Sequence, residues 1–146
     1  MVRFVLSKLP KEVIRDSNTG DEYLHRYTLL WTPIFRVYLH HILRSDSDRD
    51  LHDHPWNFVS IILRSGYLEH VPGGAKMRMP GDVVVHRAKD LHRVQLTKQP
   101  APLGEVWPDI PAWTLVFCGR KKRVWGFQTK HGWMSFSDYF HWKLPF

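Results

Sequence analysis

The chain has 146 residues, a length that fits one domain with a sizeable hydrophobic core. Its 43% hydrophobic and 24% charged residues exclude wholesale disorder, and its single cysteine, Cys118, excludes intrachain disulfides and thiolate-rich zinc sites. We expect a cytoplasmic protein, because no segment is long and apolar enough to span a membrane and the N-terminus lacks a signal-peptide pattern. The net charge of +7 favours an anionic partner.

Short segments of alternating polarity, separated by turn residues, follow one another along the chain. They predict strands at residues 22–33, at residues 35–43 and within "FVSIILRSGYLEHV", which a "VPGG" turn ends. Further strands are predicted in "KMRM", "PGDVVVHRA", "HRVQL", "AWTLVFCGR" and "RVWGFQT". This succession favours an all-β sandwich or barrel over alternating β-α units, and we predict a single domain over residues 1–146.

Helices are predicted only near the two ends of the chain. "PKEVIRD" (residues 10–16) fits a short helix, and "SFSDYFHW" (residues 135–142) fits a second, with Ser135 and Asp138 near its start. The Pro-rich residues 97–112 show no clear periodicity. We interpret them as a long ordered loop, with a lid over a site as one role for it.

Two histidines stand just before the strand that begins near residue 58. In an extended segment His52 and His54 point to the same side, with Asp53 on the opposite side. Two imidazoles at this spacing suit a divalent metal with three or more ligands, although a pair alone is more often two surface histidines. His92, at the start of "HRVQL", is a candidate third ligand, because closing a small barrel would bring its strand beside the pair.

The order of these segments resembles the two motifs of the cupin superfamily. The first is HxH before an apolar strand that ends in Gly66, and the second is "PGD", a β-branched strand, a turn and "HRV". "LHDHPW", "IILRSGYLE", "HRVQL" and "WTLVFCGRKKRVWGF" are also similar to small uncharacterised cupin-like proteins of bacteria and phages, described as similar to cysteine dioxygenase. The resemblance implies a cupin-type β-barrel (double-stranded β-helix or jelly roll) with short terminal helical segments.

The resemblance also implies a set of metal ligands. It assigns His52 and His54 to the HxH of the first motif, Gly81 to the opening glycine of the second motif and His92 to that motif's histidine. The first motif's glutamate falls at Val59, which cannot ligate a metal, so three histidines remain. The second motif departs at two further places, its Pro-x-Gly (residues 87–89 here) and its terminal Asn (Leu96 here).

Cupins that lack this glutamate include the thiol dioxygenases, whose ferrous iron keeps positions open for substrate and O2. The resemblance therefore implies a metal-dependent oxidoreductase of dioxygenase type with Fe(II), while Zn, Ni or Mn would also suit three imidazoles. Three neutral ligands leave the ion at its full positive charge, which favours a small anionic substrate. Because cupins are often dimers, the resemblance also implies a homodimer.

Two other functions remain open at this point. One is a sugar or sugar-phosphate isomerase or epimerase, activities that also occur among cupins. The other is a non-catalytic β-barrel that binds a ligand or nucleic acid, which "GRKKR" (residues 119–123) and the interleaved tryptophans indicate. We interpret "GRKKR" as a solvated hairpin turn and favour the small anionic substrate over nucleic acid.

Several side chains are candidates for binding a substrate near the metal. Arg64 and Arg93 lie in predicted strands, where a guanidinium group could bind a carboxylate or phosphate, although for each arginine by itself we favour an outward, solvated position. Tyr67, which follows Gly66, is a further candidate. We expect at least one basic residue near the metal. Three further candidates for the pocket are Arg36, Trp56 and Glu69.

For other residues we expect structural roles. Asp53 could accept a hydrogen bond from a ligand imidazole or its loop, but we predict that it points away from the pocket and faces water. His86 could be a fourth metal ligand, but we expect it to be packed or hydrogen-bonded. Cys118 is predicted to be a small buried hydrophobe. Of His40 and His41 only one can face inward, where it would suit acid or base chemistry near neutral pH.

Overall fold

The structure is a computed structural model that describes residues 6–143. β-Branched and aromatic residues recur in its central strands, as in "FVSIILR", "VVVH" and "AWTLVFC", as their fit to a pleated surface predicts. In this part of the chain the elements are β1 (Lys11–Arg15), β2 (Glu22–Trp31), β3 (Arg36–Ile42), β4 (Leu51–His52), β5 (Phe58–Arg64), β6 (Tyr67–Val71), β7 (Gly74–Arg78), β8 (Val83–His86), β9 (Arg93–Leu96), β10 (Ala112–Cys118), β11 (Gly126–Thr129), β12 (Gly132–Ser135) and α1 (Phe136–Lys143).

The strands form three antiparallel sheets. The largest has the order β1-β2-β3-β10-β5-β8, and the two small sheets have the orders β12-β11-β4 and β7-β6-β9. A β-bridge between His52 and His92 joins the two small sheets. The jelly-roll arrangement predicted from the sequence is confirmed, with the six-stranded sheet on one side of the interior and the joined small sheets on the other.

The hydrophobic core lies between these two walls. Strand β10 alternates buried and partly exposed residues from Ala112 to Cys118, so every second side chain points into the interior. The main cluster of buried residues draws on both walls and consists of Leu24, Ile42, Ile62, Tyr67, Val84, Val94, Leu96 and Ala112. A second cluster of Tyr38, Phe58, Val116 and Cys118 lies nearer the metal candidates, with Trp56 packed against it.

One predicted helix is confirmed and the other is wrong. Helix α1 begins after Ser135, whose side-chain oxygen accepts a hydrogen bond from the backbone N–H of Asp138 at 3.3 Å, as an N-cap does. Residues 10–16 instead contain β1, which pairs antiparallel with β2. The open edge of β2 provides hydrogen-bond partners that outweigh a weak helical tendency. No helix within residues 6–143 has the length and apolar character needed to cross a membrane.

The two predicted loops differ in part from expectation. Residues 97–111 contain no strand, and a bridge between Lys98 and Asp109 closes their base. The "GRKKR" segment is solvated as predicted, since Arg120, Lys121 and Lys122 are exposed. It is not a hairpin turn, however, because it connects β10 to β11, which belong to different sheets. A tight hairpin turn joins paired neighbouring strands, and β10 and β11 are not paired with each other.

Position 66, between β5 and β6, requires glycine because of its backbone angle and because of the atoms packed around it. Its φ is 76°, and a Cβ would lie 2.2 Å from the backbone oxygen of Arg78. We predict that Gly66→Ala lowers the free energy of unfolding by at least about 2 kcal/mol, measured by urea denaturation.

Gly73 is the matched control, with a φ of 82° and no atom within 4 Å of the position that an added Cβ would take. Gly73→Ala is expected to cost only about 1 kcal/mol, the strain of the backbone angle alone. Equal losses for the two variants would contradict the role of the close contact.

Candidate metal centre

The structure brings His52, His54 and His92 together. His52 and His92 each donate a backbone N–H to the other's carbonyl at 2.9 Å, so the two chain segments are direct neighbours. The three ring centroids are 4.8–5.1 Å apart, and one nitrogen from each ring lies within 4.8 Å of the others. The expectation that the strand of His92 lies beside the HxH segment is confirmed, while the role of these side chains as ligands stays a prediction.

Backbone hydrogen bonds hold each residue of the HxH segment to a different part of the chain. His52 pairs with His92, Asp53 donates its N–H to Gly126, and His54 donates its N–H to Ala88, all at 2.9 Å. The segment is therefore fixed in an extended form along its whole length. This conformation is what directs the two histidine side chains to one side.

The prediction that Asp53 faces water is wrong. Its side chain is 2% exposed and accepts hydrogen bonds from Gly126 N at 2.7 Å and from Trp133 Nε1 at 2.8 Å. It also forms an ion pair with Arg123. The pairing of β4 with β11 covers the side of the segment that sequence reasoning left open to solvent. Asp53 thus anchors the segment from the side opposite the histidines.

Glu69 supports the site from within the protein. It is fully buried, and its Oε1 lies 2.7 Å from His92 Nδ1 and 2.8 Å from His86 Nε2, while its Oε2 accepts from Arg78 Nε at 2.6 Å. Burial alone would raise the pKa of Glu69, but hydrogen bonds from His86 and His92 outweigh it and hold the pKa well below its usual range. The carboxylate therefore fixes His92 with Nδ1 as donor and Nε2 free to face His52 and His54.

A second set of possible metal ligands consists of three side chains that lie close together, Glu69, His86 and His92. The distances of 2.7 and 2.8 Å are those of hydrogen bonds, and both carboxylate oxygens already have partners. We interpret this group as a support for His92. The prediction that His86 is packed or hydrogen-bonded is confirmed, since it also stacks on Phe58 with 4.7 Å between ring centroids.

Two of the three histidines, His52 and His54, are held in the neutral form that binds a divalent metal. Burial, followed by the neighbouring His92, lowers the pKa of His52 to about 4 against the opposing effect of Asp46, and burial lowers the pKa of His54 well below its usual range. Among the described residues His54 Nδ1 has no hydrogen-bond partner although it is buried. Neutral imidazoles with an unsatisfied buried nitrogen fit a metal ion, whose coordination would satisfy it.

The histidines open onto a cavity of about 370 Å³ between the two walls of the barrel. From the six-stranded sheet, Arg26 and His40 line it, and Arg26 Nε donates to His40 Nε2 at 3.3 Å. Burial, and then the charge of Arg26, lowers the pKa of His40 to about 3, so His40 is a neutral acceptor at physiological pH. Of the adjacent residues His40 and His41, His40 is the inward one. The volume suits a small molecule.

The structure separates the other candidates by their distance from this cavity. Tyr67 and Trp56 line it, whereas Arg64 is exposed and Arg93 is not part of the walls. No residue of 97–111 lines the cavity, so the structure does not place this loop as a lid over it. Arg36 lies over the ring of Trp56, 5.6 Å from its centroid.

Cys118 matches its prediction, whereas Arg26 was missed by sequence reasoning. Cys118 is 2% exposed, and burial raises the pKa of its thiol to about 11, which confirms the small buried hydrophobe. Arg26 is identified by its position directly opposite His40 in the pairing of β2 with β3. This position places both side chains on the inner face of the sheet.

No protein-family model and no curated protein matches the sequence. Solved structures do match. A cupin-2 domain from Rhodospirillum rubrum superposes with a TM-score of 0.63 and 13% identity, over 85% of this chain and 78% of that chain. The chain has the cupin fold.

Two further structures share this cupin barrel. One is a sugar phosphate isomerase from Silicibacter pomeroyi, described as from a cupin superfamily. It superposes with a TM-score of 0.57 and 16% identity, over 88% of each chain. Fe(II)-HppE, solved with the alternative substrate (S)-1-HPP, superposes with a TM-score of 0.55 and 13% identity, over 77% of this chain and 57% of that chain. At these identities the likeness establishes the fold and leaves the reaction of this cupin barrel to its own residues.

The support that Glu69 gives to His92 can be tested directly. Glu69→Gln keeps the shape but weakens the charge-assisted hydrogen bonds to His86, His92 and Arg78, so we predict a 10- to 100-fold loss of affinity for a divalent metal, measured by isothermal titration with Co(II).

The matched control is Glu22→Gln, which alters an exposed carboxylate that is paired with His25 at 2.8 Å and does not line the cavity. This control variant should bind Co(II) as the wild type does. An unchanged affinity in Glu69→Gln would contradict the positioning role.

Proposed function

We propose that the protein is a metal-dependent enzyme of dioxygenase type, in which His52, His54 and His92 hold a ferrous ion. The observation that carries this proposal is the convergence of three imidazoles, buried His92 and the half-buried His52 and His54, on the wall of a cavity that accepts a small molecule. A ferrous ion held by these residues would supply open coordination positions for O2 and for a substrate group. Fe(II)-HppE supports the choice of iron, because it carries that metal on the same fold.

The chain's own residues prepare the site in two ways. Glu69 holds His92 in one tautomer, and Asp53 holds the segment between the two other histidines. Both carboxylates act from behind the imidazoles, so no carboxylate stands among the three donors. The positive charge of an ion held by them is not offset by a ligand carboxylate, which favours a substrate with an anionic group.

Arg26 is the residue best placed to bind that anionic group. Among the described residues it is the one arginine or lysine in the cavity wall. Its guanidinium lies 4.8 Å from the ring centroid of Tyr38, donates from Nε to His40 and donates from Nη1 to the exposed carboxylate of Glu12 at 3.4 Å. A substrate carboxylate or phosphate would therefore bind at the remaining N–H groups and compete with Glu12 for Nη1.

The exposed cations beside the cavity favour the same class of substrate. The backbone N–H groups of Lys122 and Arg123 both bond to the carbonyl oxygen of Pro55, which lines the cavity with Trp56. Arg120 and Lys121, the preceding residues of this loop, are exposed. Their field raises the local concentration of anions at this end of the barrel.

A second candidate function is a sugar-phosphate isomerase. The observation that favours it is an acid–base pair in the same cavity, because the Tyr23 hydroxyl donates to Asp46, whose Oδ2 lies 3.9 Å from His52 Nδ1. Such a pair could hold a proton at the Tyr23 oxygen. The isomerase from Silicibacter pomeroyi supports this function on the same fold. Isomerisation would proceed without O2, which separates the two candidates.

Anaerobic titration with Fe(II), followed by O2 uptake, tests the proposal. We expect one iron per chain in the wild type and less than a tenth of that in His92→Ala, measured by elemental analysis after desalting. The control is His131→Ala, an exposed turn histidine, which should retain the iron. A wild-type chain that holds no iron, or loaded protein that takes up no O2 with any small anionic thiol, amino acid or sugar phosphate, would overturn the proposal.

Replacement of Arg26 tests the anionic substrate. For any compound that supports O2 uptake, we predict that Arg26→Gln raises KM at least tenfold, because a charge-assisted hydrogen bond in a buried site is lost. Arg64→Gln is the matched control, since Arg64 is exposed and outside the cavity. Equal KM values in the two variants would remove Arg26 from the substrate site.

A further inference from the structure

The two ends of the six-stranded sheet differ in charge. Its strands are antiparallel, so at one end the last residues of β2, β8 and β10 lie beside the first residues of β3 and β5. The connecting segments there, which we together call the basic end, are residues 31–36, 55–57, 87–90 and 119–123. They contain seven arginines and lysines and one acidic residue, Asp90.

Hydrogen bonds hold these segments together as one surface. Gly119 donates its backbone N–H to the carbonyl oxygen of Asn57 at 2.9 Å, and Lys122 donates its backbone N–H to that of Pro55 at 2.7 Å. The side-chain oxygen of Asn57 accepts from the backbone N–H of Ala88 at 2.8 Å. These contacts fix three of the four segments against one another.

Most cations of the basic end are exposed and unpaired. Within residues 6–143, five of them are exposed and form no ion pair, namely Arg87, Lys89, Arg120, Lys121 and Lys122. At the opposite end of the sheet, by contrast, Arg44 pairs with Asp21 and Lys98 pairs with Asp109. Unpaired cations concentrated on one side of a molecule attract polyanions. The sequence alone showed only the basic run of residues 119–123, because the other cations join it through the fold.

Flat side chains lie beside these cations. Arg36 stands opposite Cys118 in the pairing of β3 with β10. Its guanidinium lies 5.5 Å from the ring centroid of Trp31 and 5.6 Å from that of Trp56, and its buried Nε has no hydrogen-bond partner among the described residues. Trp31 and Phe35 are 60% and 39% exposed. Exposed aromatic rings and guanidinium planes are surfaces on which nucleobases stack.

We propose that the basic end binds single-stranded nucleic acid. The exposed cations bind phosphates, while Trp31, Phe35 and Arg36 stack on bases. Cations alone suit any polyanion, but their combination with open aromatic rings is typical of single-strand binding, because a duplex buries the faces of its bases. The basic end crosses the sheet from β2 to β8, a span of roughly 20 Å that accommodates a few nucleotides.

This binding goes beyond the proposed function. The cavity onto which His52, His54 and His92 open has none of the five exposed cations in its wall, as far as the described residues define it. Trp56 contacts Arg36 and also lines the cavity, so the test variants leave Trp56 unchanged. Iron content therefore reports on the metal site and oligonucleotide affinity reports on the basic end, and either can fail without the other.

Fluorescence anisotropy with labelled oligo(dT) and oligo(U) strands of about 12 nucleotides tests the proposal and separates DNA from RNA as the ligand. With the tighter of the two strands we expect micromolar binding at low salt by the wild type, and a Kd raised at least tenfold in Arg120→Gln/Lys121→Gln. The slope of log Kd against log salt concentration should also fall by about 1.4, because two phosphate contacts are lost at about 0.7 each.

The matched control for this charge change is Arg64→Gln/Lys130→Gln. It also removes one exposed arginine and one exposed lysine, but both lie outside the basic end, so this variant should bind as the wild type does. Equal affinities in the two double variants would overturn the proposal.

Trp31→Ala tests the stacking separately from the charge. We expect it to raise Kd at least fivefold and to leave the salt dependence unchanged, because it removes a ring and no cation. An affinity unchanged by Trp31→Ala would overturn the proposal. So would a wild type that binds neither strand at low salt, or one that binds a duplex of the same length as tightly as the single strand.

Discussion

The site depends on one pair of backbone hydrogen bonds, those between His52 and His92. This pair joins the two small sheets into one wall and places the HxH segment directly beside the start of β9. The side chains of both residues leave the bridge toward the cavity. The closure of the barrel and the assembly of a three-histidine group are therefore the same structural event.

The site also requires that its buried carboxylates have partners. Glu69 and Asp53 would each be costly in the interior without partners, because a buried charge loses its hydration. Glu69 is satisfied by Arg78 and two histidines, and Asp53 by Arg123, a backbone N–H and an indole N–H. These networks lie on two sides of the imidazoles, so the same interactions that make burial tolerable also fix the rings.

Local patterns predicted the parts of the structure that depend on neighbours along the chain. Alternation identified most strands, and the spacing in the HxH segment predicted the common direction of His52 and His54. The segment that became β1 was misread, because its conformation is decided by the edge of β2. The burial of Asp53 was likewise missed, since it results from β11, which follows more than seventy positions later.

The arginines show why pocket residues are hard to identify in strands. Arg26 and Arg64 both lie in strands of the same sheet, yet one lines the cavity and the other is exposed. The pairing of β10 with β5 shifts register between Trp113 and Thr114, next to Arg64, and β2 shifts between Thr28 and Leu30. Each shift changes which side chains face inward, and a bulge of this kind has no clear signature in one sequence.

The bridge between the two small sheets also has a kinetic consequence. It joins segments far apart in sequence, so it closes a large loop and is expected to form late in folding. An ion held across it would be released when this seam opens, and would in turn keep the seam closed. The lifetime of a bound metal and the local opening rate of the barrel would then be two measures of the same motion.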